Sequence, residues 1–139
     1  MIADEKNISE FIPQGPPVIM IDRIQECSEN SIITRFYIKK ENLFSEEGFF
    51  TESGLIENMA QTAAARAGVE SKTKGKAPQK GFIAAIKNLK IHSLPEVDTE
   101  ITTYLSINNQ VMNFSIANAY ITQRNSKIAE CELKIFIPE

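Results

Sequence analysis

Thr51-Glu52-Ser53-Gly54-Leu55-Ile56-Glu57-Asn58-Met59-Ala60-Gln61-Thr62-Ala63-Ala64-Ala65-Arg66-Ala67-Gly68 reads as one long helix, and its surface decides the fold. A hydroxyl of Thr51 or Ser53 can accept from the free N–H groups of the first turn. Glu52 puts negative charge where the helix dipole favours it. Gly68 is the expected stop. Ala60, Ala63, Ala64, Ala65 and Ala67 leave little bulk on the second half. A helix this small-sided can be approached closely all round, which suits one wrapped by a curved sheet. After the first turn its only charges are Glu57 and Arg66. Glu57 and Gln61 lie four apart and share a face. That sets one carboxylate and one amide in an apolar, Ala-lined environment.

Upstream, residues 5–12 predict a short amphipathic helix with Ile8, Phe11 and Ile12 on one side, ended by Pro13. Gln14-Gly15-Pro16-Pro17 is a turn-rich connector. Val18-Ile19-Met20-Ile21 is a short buried run, a strand or an extended segment, closed by Asp22-Arg23 as a structural pair. Ser31 to Ile38 alternates as a strand. Lys39 to Phe50 is a loop leading into the helix. In it Phe44, Phe49 and Phe50 are either core or the wall of a ligand tunnel.

Downstream, Glu70 to Lys80 is a polar, mobile segment, and everything beyond is strand-like. Gly81 to Ser93 is a long run. Thr99 to Ile107 alternates, with Ile101, Thr103, Leu105 and Ile107 on one face. Asn108-Asn109 predicts a tight hairpin turn. Val111 to Thr122 follows, then a turn at Arg124-Asn125-Ser126-Lys127. Ile128 to Ile137 closes the sheet, with Cys131, Leu133, Ile135 and Ile137 alternating against Glu130, Glu132 and Lys134. Consecutive hairpins make an antiparallel sheet. One helix must cover a face of it, so the class is α+β, with residues 1–139 as one domain.

The 139 residues suffice for one domain with a real core and not for two ordinary ones. A net charge of −3 argues against a nucleic-acid surface. Two cysteines, Cys27 and Cys131, give neither a disulfide framework nor a CxxC pair. With one histidine, His92, a zinc site is not expected, and no cofactor is implied. The start lacks a signal-peptide pattern and no apolar run has the length of a membrane span, so a cytoplasmic location is expected.

Three stretches carry a family resemblance. Ile12-Pro13 and Pro16-Pro17-Val18-Ile19-Met20-Ile21-Asp22-Arg23 look like "LPHRYPFLLVDR". Ile56-Glu57-Asn58-Met59-Ala60-Gln61 looks like "LEAMAQ", the most specific of the three. Phe82 to Asp98 resembles "GIDKARFKRPVVPGD". These motifs belong to the hotdog-fold β-hydroxyacyl-(acyl-carrier-protein) dehydratases, in which a curved antiparallel sheet wraps one long helix. In that family the helix Glu acts as acid and a His in an upstream "GHFPG" loop acts as base. The two come from different subunits of a dimer.

Carried over, the acid is Glu57. The base does not carry over. Counting back from Glu57 puts Asn42-Leu43-Phe44 on "GHF", so Leu43 stands where the His should be. His92 falls on the wrong strand. Gln14 stands where the family often has another His.

Dehydrating a 3-hydroxyacyl thioester removes an α-proton and protonates the departing hydroxyl, each step needing a group within hydrogen-bond reach. Glu57 suits the acid, since burial among Ala and Met side chains disfavours its charged form. The structural alternative is a buried carboxyl bonded to Gln61 or a loop amide. Gln61 is expected to orient Glu57. Free N–H groups near Gly54 can polarise the thioester carbonyl. Leu43 and Phe44 complete the expected substrate-binding set. Lys72, Lys74 and Lys76 are either a solvated loop or a docking patch for an acidic carrier protein.

The resemblance implies a homodimer, or a heterodimer with a hotdog paralogue that supplies the missing His. The substrate is then a thioester of acyl carrier protein or coenzyme A. Thioester hydrolysis using Glu57 and a non-catalytic subunit are the alternatives.

Overall fold

A computed structural model describes residues 1–76 and 81–138. The strands are β1 (Arg23–Cys27), β2 (Ser31–Tyr37), β3 (Ser45–Glu46), β4 (Phe49–Phe50), β5 (Phe82–Ile91), β6 (Glu100–Val111), β7 (Phe114–Gln123) and β8 (Ser126–Phe136). The helix α1 spans Glu52–Thr73. Six strands form one antiparallel sheet in the order β1-β2-β6-β7-β8-β5, and β3 and β4 pair separately. This is the α+β arrangement that the hairpin-linked pattern predicts.

The alternation reads out as burial. Ile32, Thr34 and Phe36 on β2, Ile101, Thr103 and Leu105 on β6, and Cys131, Leu133 and Ile135 on β8 all point into the core. Leu55, Met59, Ala63 and Ala65 of α1 meet them there. The helix is buried on nearly every side, which its small residues allow.

Several local expectations are corrected. Residues 5–12 form only a 3-10 turn over Ile8–Glu10, although Ile8, Phe11 and Ile12 are buried on one side as expected. Asn7 and Asp4 trade side-chain bonds with nearby backbone N–H groups there, a turn chemistry that competes with helix. Gly68 does not end α1, which runs on to Thr73. A Cβ at Gly68 would lie 1.8 Å from the Phe11 carbonyl oxygen. That glycine admits a neighbouring backbone and is no cap.

Asn108-Asn109 is not a turn. It lies in a bulge of β6, where the register passes from Ile107↔Ala117 to Asn109↔Ile116. The hairpin closes instead beyond the Val111↔Phe114 pair, with Met112 at φ 57°. The second hairpin turn falls where expected. Arg124 and Asn125 both have positive φ, 51° and 66°, matching the twist of the flanking strands. The loop 39–50 contains an unanticipated hairpin, β3–β4, turned by Glu47 and Gly48 in the same left-handed region. Phe50 at its end is core, Phe44 packs against the core, and Phe49 is exposed.

Val18–Ile21 joins no sheet ladder, and the unforeseen strand after it is β1. Asp22 and Arg23 do not pair with one another. Arg23 bonds to Glu100, while the Asp22 carboxylate accepts from the Tyr37 N–H at 2.6 Å. Burial pushes the Asp22 carboxyl up, against the bond from Tyr37. Of the polar segment 70–80, residues through Thr73 are helical, and Pro78 and Lys80 lie outside the described residues. Among the described residues, no helix is long and apolar enough to cross a membrane.

Candidate functional site

The helix is capped by Thr51, whose hydroxyl accepts from the Gly54 N–H at 3.4 Å. The Gly54 amide is thus partly engaged within the cap. Its other side is covered, since a Cβ there would fall 2.5 Å from the buried Phe50 ring. Gly54 therefore sets how closely Phe50 packs on the first turn.

Two turns later the motif residues split into two tasks. Gln61 Oε1 accepts from the Met20 N–H at 2.6 Å, and its Nε2 donates to the Val18 carbonyl at 2.5 Å. Asn58 Nδ2 donates to the Met20 carbonyl at 2.7 Å. These amides give Val18 and Met20 the backbone partners that a neighbouring strand would otherwise supply, so the segment needs no strand beside it. Asn58 Oδ1 also accepts from the Thr103 hydroxyl on β6. The Thr62 hydroxyl donates to the Asn58 carbonyl, and it lies 2.8 Å from the Thr34 hydroxyl of β2. All five side chains are buried, and satisfied polar chains of this kind fix a unique packing.

Gln61 Nε2 also donates to Glu57 Oε2 at 2.8 Å. The expected orienting contact is therefore present, and Gln61 serves as clamp and orienter together. Glu57 is half-buried in the chain on its own, less than its Ala and Met neighbours suggested. Among the described residues its Oε1 takes no hydrogen bond, so one carboxyl oxygen is fixed and the other is available.

One helical turn on from this pair lies a cavity of about 60 Å³, walled by Ala60, Ala63, Ala64 and Ala67 with Gln14, Ile83 and Ile135. Ala60 is the i+3 neighbour of Glu57, and Ala64 the i+3 neighbour of Gln61. The cavity therefore opens one turn from the carboxylate.

Among the described residues no histidine accompanies Glu57. Leu43 is 59% exposed in the loop ahead of α1, and the adjacent Phe44 is half-buried. His92 pairs at 2.9 Å with Glu130, on the face of the sheet turned away from the helix. Of the expected docking lysines, Lys72 is bonded to Glu10 at 2.6 Å and lies over the Phe11 ring. Lys74 is bonded to Glu70 at 2.9 Å, which leaves Lys76 as the exposed one without an ion pair among the described residues.

Sequence reasoning did not foresee the role of Asn58, although a polar residue on an Ala-rich helix was the signal. Arg66 is buried too, donating to the Glu29 carbonyl at 3.1 Å and pairing with Glu70.

A family model described as ApeP-like, ApeP dehydratase, matches residues 6–139. No curated protein sequence matches the chain significantly. Among solved structures, the dehydratase heterocomplex ApeI:P from Xenorhabdus doucetiae is similar, with a TM-score of 0.87 at 14% identity, covering 95% of this chain and 91% of that one. A hypothetical thioesterase from Streptococcus pneumoniae, solved with coenzyme A, has a TM-score of 0.69 at 9% identity over 83% and 86%. A Streptococcus mutans protein bound to acetyl coenzyme A has a TM-score of 0.68 at 6% identity over 83% and 86%. At these identities the likeness is one of fold, and the fold is the hotdog.

Proposed function

From the premise that this chain belongs to the ApeP-like dehydratase family, we propose that it is a subunit for dehydrating 3-hydroxyacyl thioesters, complete only with a histidine-bearing hotdog partner. The observation that carries this reading is Glu57 itself. Its carboxyl is held at one oxygen by Gln61, open at the other, and set beside an apolar cavity, while Leu43 occupies the loop position of the base. Holding a carboxyl half out of water has a desolvation cost that a purely structural subunit has no need to bear.

Glu57 would donate a proton to the departing 3-hydroxyl, and a histidine on the partner's loop would take the α-proton. The acyl chain would lie along the Ala-lined cavity, with Phe44 near the mouth. The first-turn N–H groups beside Gly54 would face the thioester end, Gly54 itself being covered by Phe50. Of the lysines expected to dock a carrier protein or coenzyme A, Lys76 alone lacks a carboxylate partner among the described residues, and it lies beyond the end of α1 opposite Gly54.

The assembly reading rests on β5, an edge strand exposed on both faces. Phe82, Ile83 and Ile86 on it are 48%, 36% and 38% exposed. A long apolar edge of this kind is an aggregation hazard unless another chain covers it. A homodimer would hold two copies of Glu57 and no base, whereas a mixed dimer holds one complete site.

The test is co-expression with a candidate histidine-bearing paralogue and assay of the mixed oligomer on a 3-hydroxyacyl thioester. Enoyl product that falls at least a hundredfold with Glu57→Gln is expected. Activity indifferent to Glu57 leaves only a scaffold role. Free thiol released from a saturated acyl thioester, dependent on Glu57, would identify a thioesterase instead. Leu43→His in this chain alone should restore part of the dehydration to the homodimer.

A further inference from the structure

Gln14 carries a polar atom with nothing among the described residues to bond it. Its Oε1 is the one buried side-chain oxygen or nitrogen among the described residues that has no hydrogen-bond partner. The residue follows the buried Phe11-Ile12 pair and lies in the wall of the Ala-lined cavity. Every other side chain in that wall is apolar, including Ala60, Ala64, Ile83 and Ile135. An unpaired amide oxygen in such a wall is destabilising, and an atom of this kind calls for a specific partner. An oxygen acceptor requires an O–H or N–H donor. Two wall residues of the cavity, Ala60 and Ala64, follow Glu57 and Gln61 by one helical turn on α1. A donor that reaches Gln14 while its own carbon lies near Glu57 is a hydroxyl close to the thioester.

We propose that Gln14 Oε1 accepts the hydrogen of the substrate's 3-hydroxyl, making this chain selective for 3-hydroxyacyl thioesters over their saturated counterparts. The inference rests on the dehydratase reading of the site. A hydroxyl has one hydrogen to give and two lone pairs to receive with. Its hydrogen goes to Gln14, and a lone pair faces the open oxygen of Glu57. In the elimination the base takes the α-proton and the electron pair of that C–H bond forms the double bond. The C3–O bond breaks, and Glu57 delivers its proton to the departing oxygen. Water leaves with its original O–H intact and still hydrogen-bonded to Gln14 Oε1. The proton gained by the base balances the one lost by Glu57, so water is the sole by-product.

The experiment uses the full chain, alone and in the mixed oligomer, with the non-cleavable amide analogues of 3-hydroxybutyryl- and butyryl-pantetheine. Affinities are measured by calorimetry for wild type and Gln14→Met, which keeps the side-chain length and removes the acceptor. Wild type is expected to bind the hydroxylated analogue roughly tenfold more tightly, as one good hydrogen bond implies. Gln14→Met should erase that preference while leaving the affinity for the saturated analogue unchanged. A preference that survives Gln14→Met means the oxygen meets only solvent, and overturns the inference. Equal weakening of both analogues places Gln14 against the shared pantetheine arm, and also overturns it. If wild type binds neither analogue, the dehydratase reading falls together with the inference.

Discussion

Replacing Gly68 by alanine should destabilise the protein, although alanine is the better helix former. Within a helix, Ala is favoured over Gly by about 1 kcal/mol. Against that gain stands the Phe11 carbonyl. The new Cβ would fall 1.8 Å from its oxygen and 2.7 Å from its carbon, where real contacts stay beyond 3.0 Å. The obstacle is backbone and cannot rotate aside as a side chain would. The segment carrying it is also anchored by buried Ile8, Phe11 and Ile12. Forcing atoms into a packed site costs about 1–3 kcal/mol, and a backbone obstacle belongs at the upper end of that range. The net effect is a loss of about 2 kcal/mol, or roughly 7 °C in Tm for a domain of this size. Urea unfolding followed by circular dichroism measures it. Gly15→Ala is the control, since nothing lies within 4 Å of a Cβ there. A Gly68→Ala protein as stable as wild type would refute the close approach of the N-terminal turn to α1.

Ile86→Lys, on the exposed β5 edge, should weaken the oligomer at least tenfold by sedimentation, the charge having to be buried against the added chain; a wild-type protein that is monomeric at micromolar concentration would sink the assembly reading. Glu70 is held below its ordinary value of 4.5 by the hydrogen bond from Lys74, against some desolvation and with help from Arg66. Because the folded value is the lower one, its stabilisation is complete above about pH 4.5 and drains as pH falls through the folded value. Glu70→Gln should therefore flatten that part of the acid limb of a stability–pH curve, and an unchanged limb would show the ion pair to be idle.

The parts of the fold legible in the sequence were those whose cause is local. Alternation along β6 and β8 names the buried face directly, because side chains on a strand change sides at every residue. Arg124-Asn125 announces its turn for the same reason. The parts that misled depend on residues far away in the chain. Val18–Ile21 reads as a strand or an extended segment, and what decides against the strand is that its backbone partners are Asn58 and Gln61, some forty positions on. Asn108-Asn109 looks like a turn, but the sheet absorbs it as a bulge and turns at Met112. Gly68 looks like a stop because nothing local reveals the Phe11 carbonyl beside it. At the site, the four-residue spacing of Glu57 and Gln61 sufficed to foresee their contact. The orphaned oxygen of Gln14 was beyond reach, since it depends on which walls close around it.

The double duty of Gln61 changes what the helix motif can mean. Asn58 and Gln61 are mortared into the N-terminal segment, and a chain that lost every chemical role would still need both to keep Val18 and Met20 in place. Glu57 is under no such obligation, since none of its side-chain atoms holds a backbone group among the described residues. Architecture alone would thus keep Asn58 and Gln61 and let the carboxylate drift. Saturation mutagenesis scored once for folding and once for turnover would separate the two pressures. Asn58 and Gln61 would be intolerant in both screens, and Glu57 only in the second.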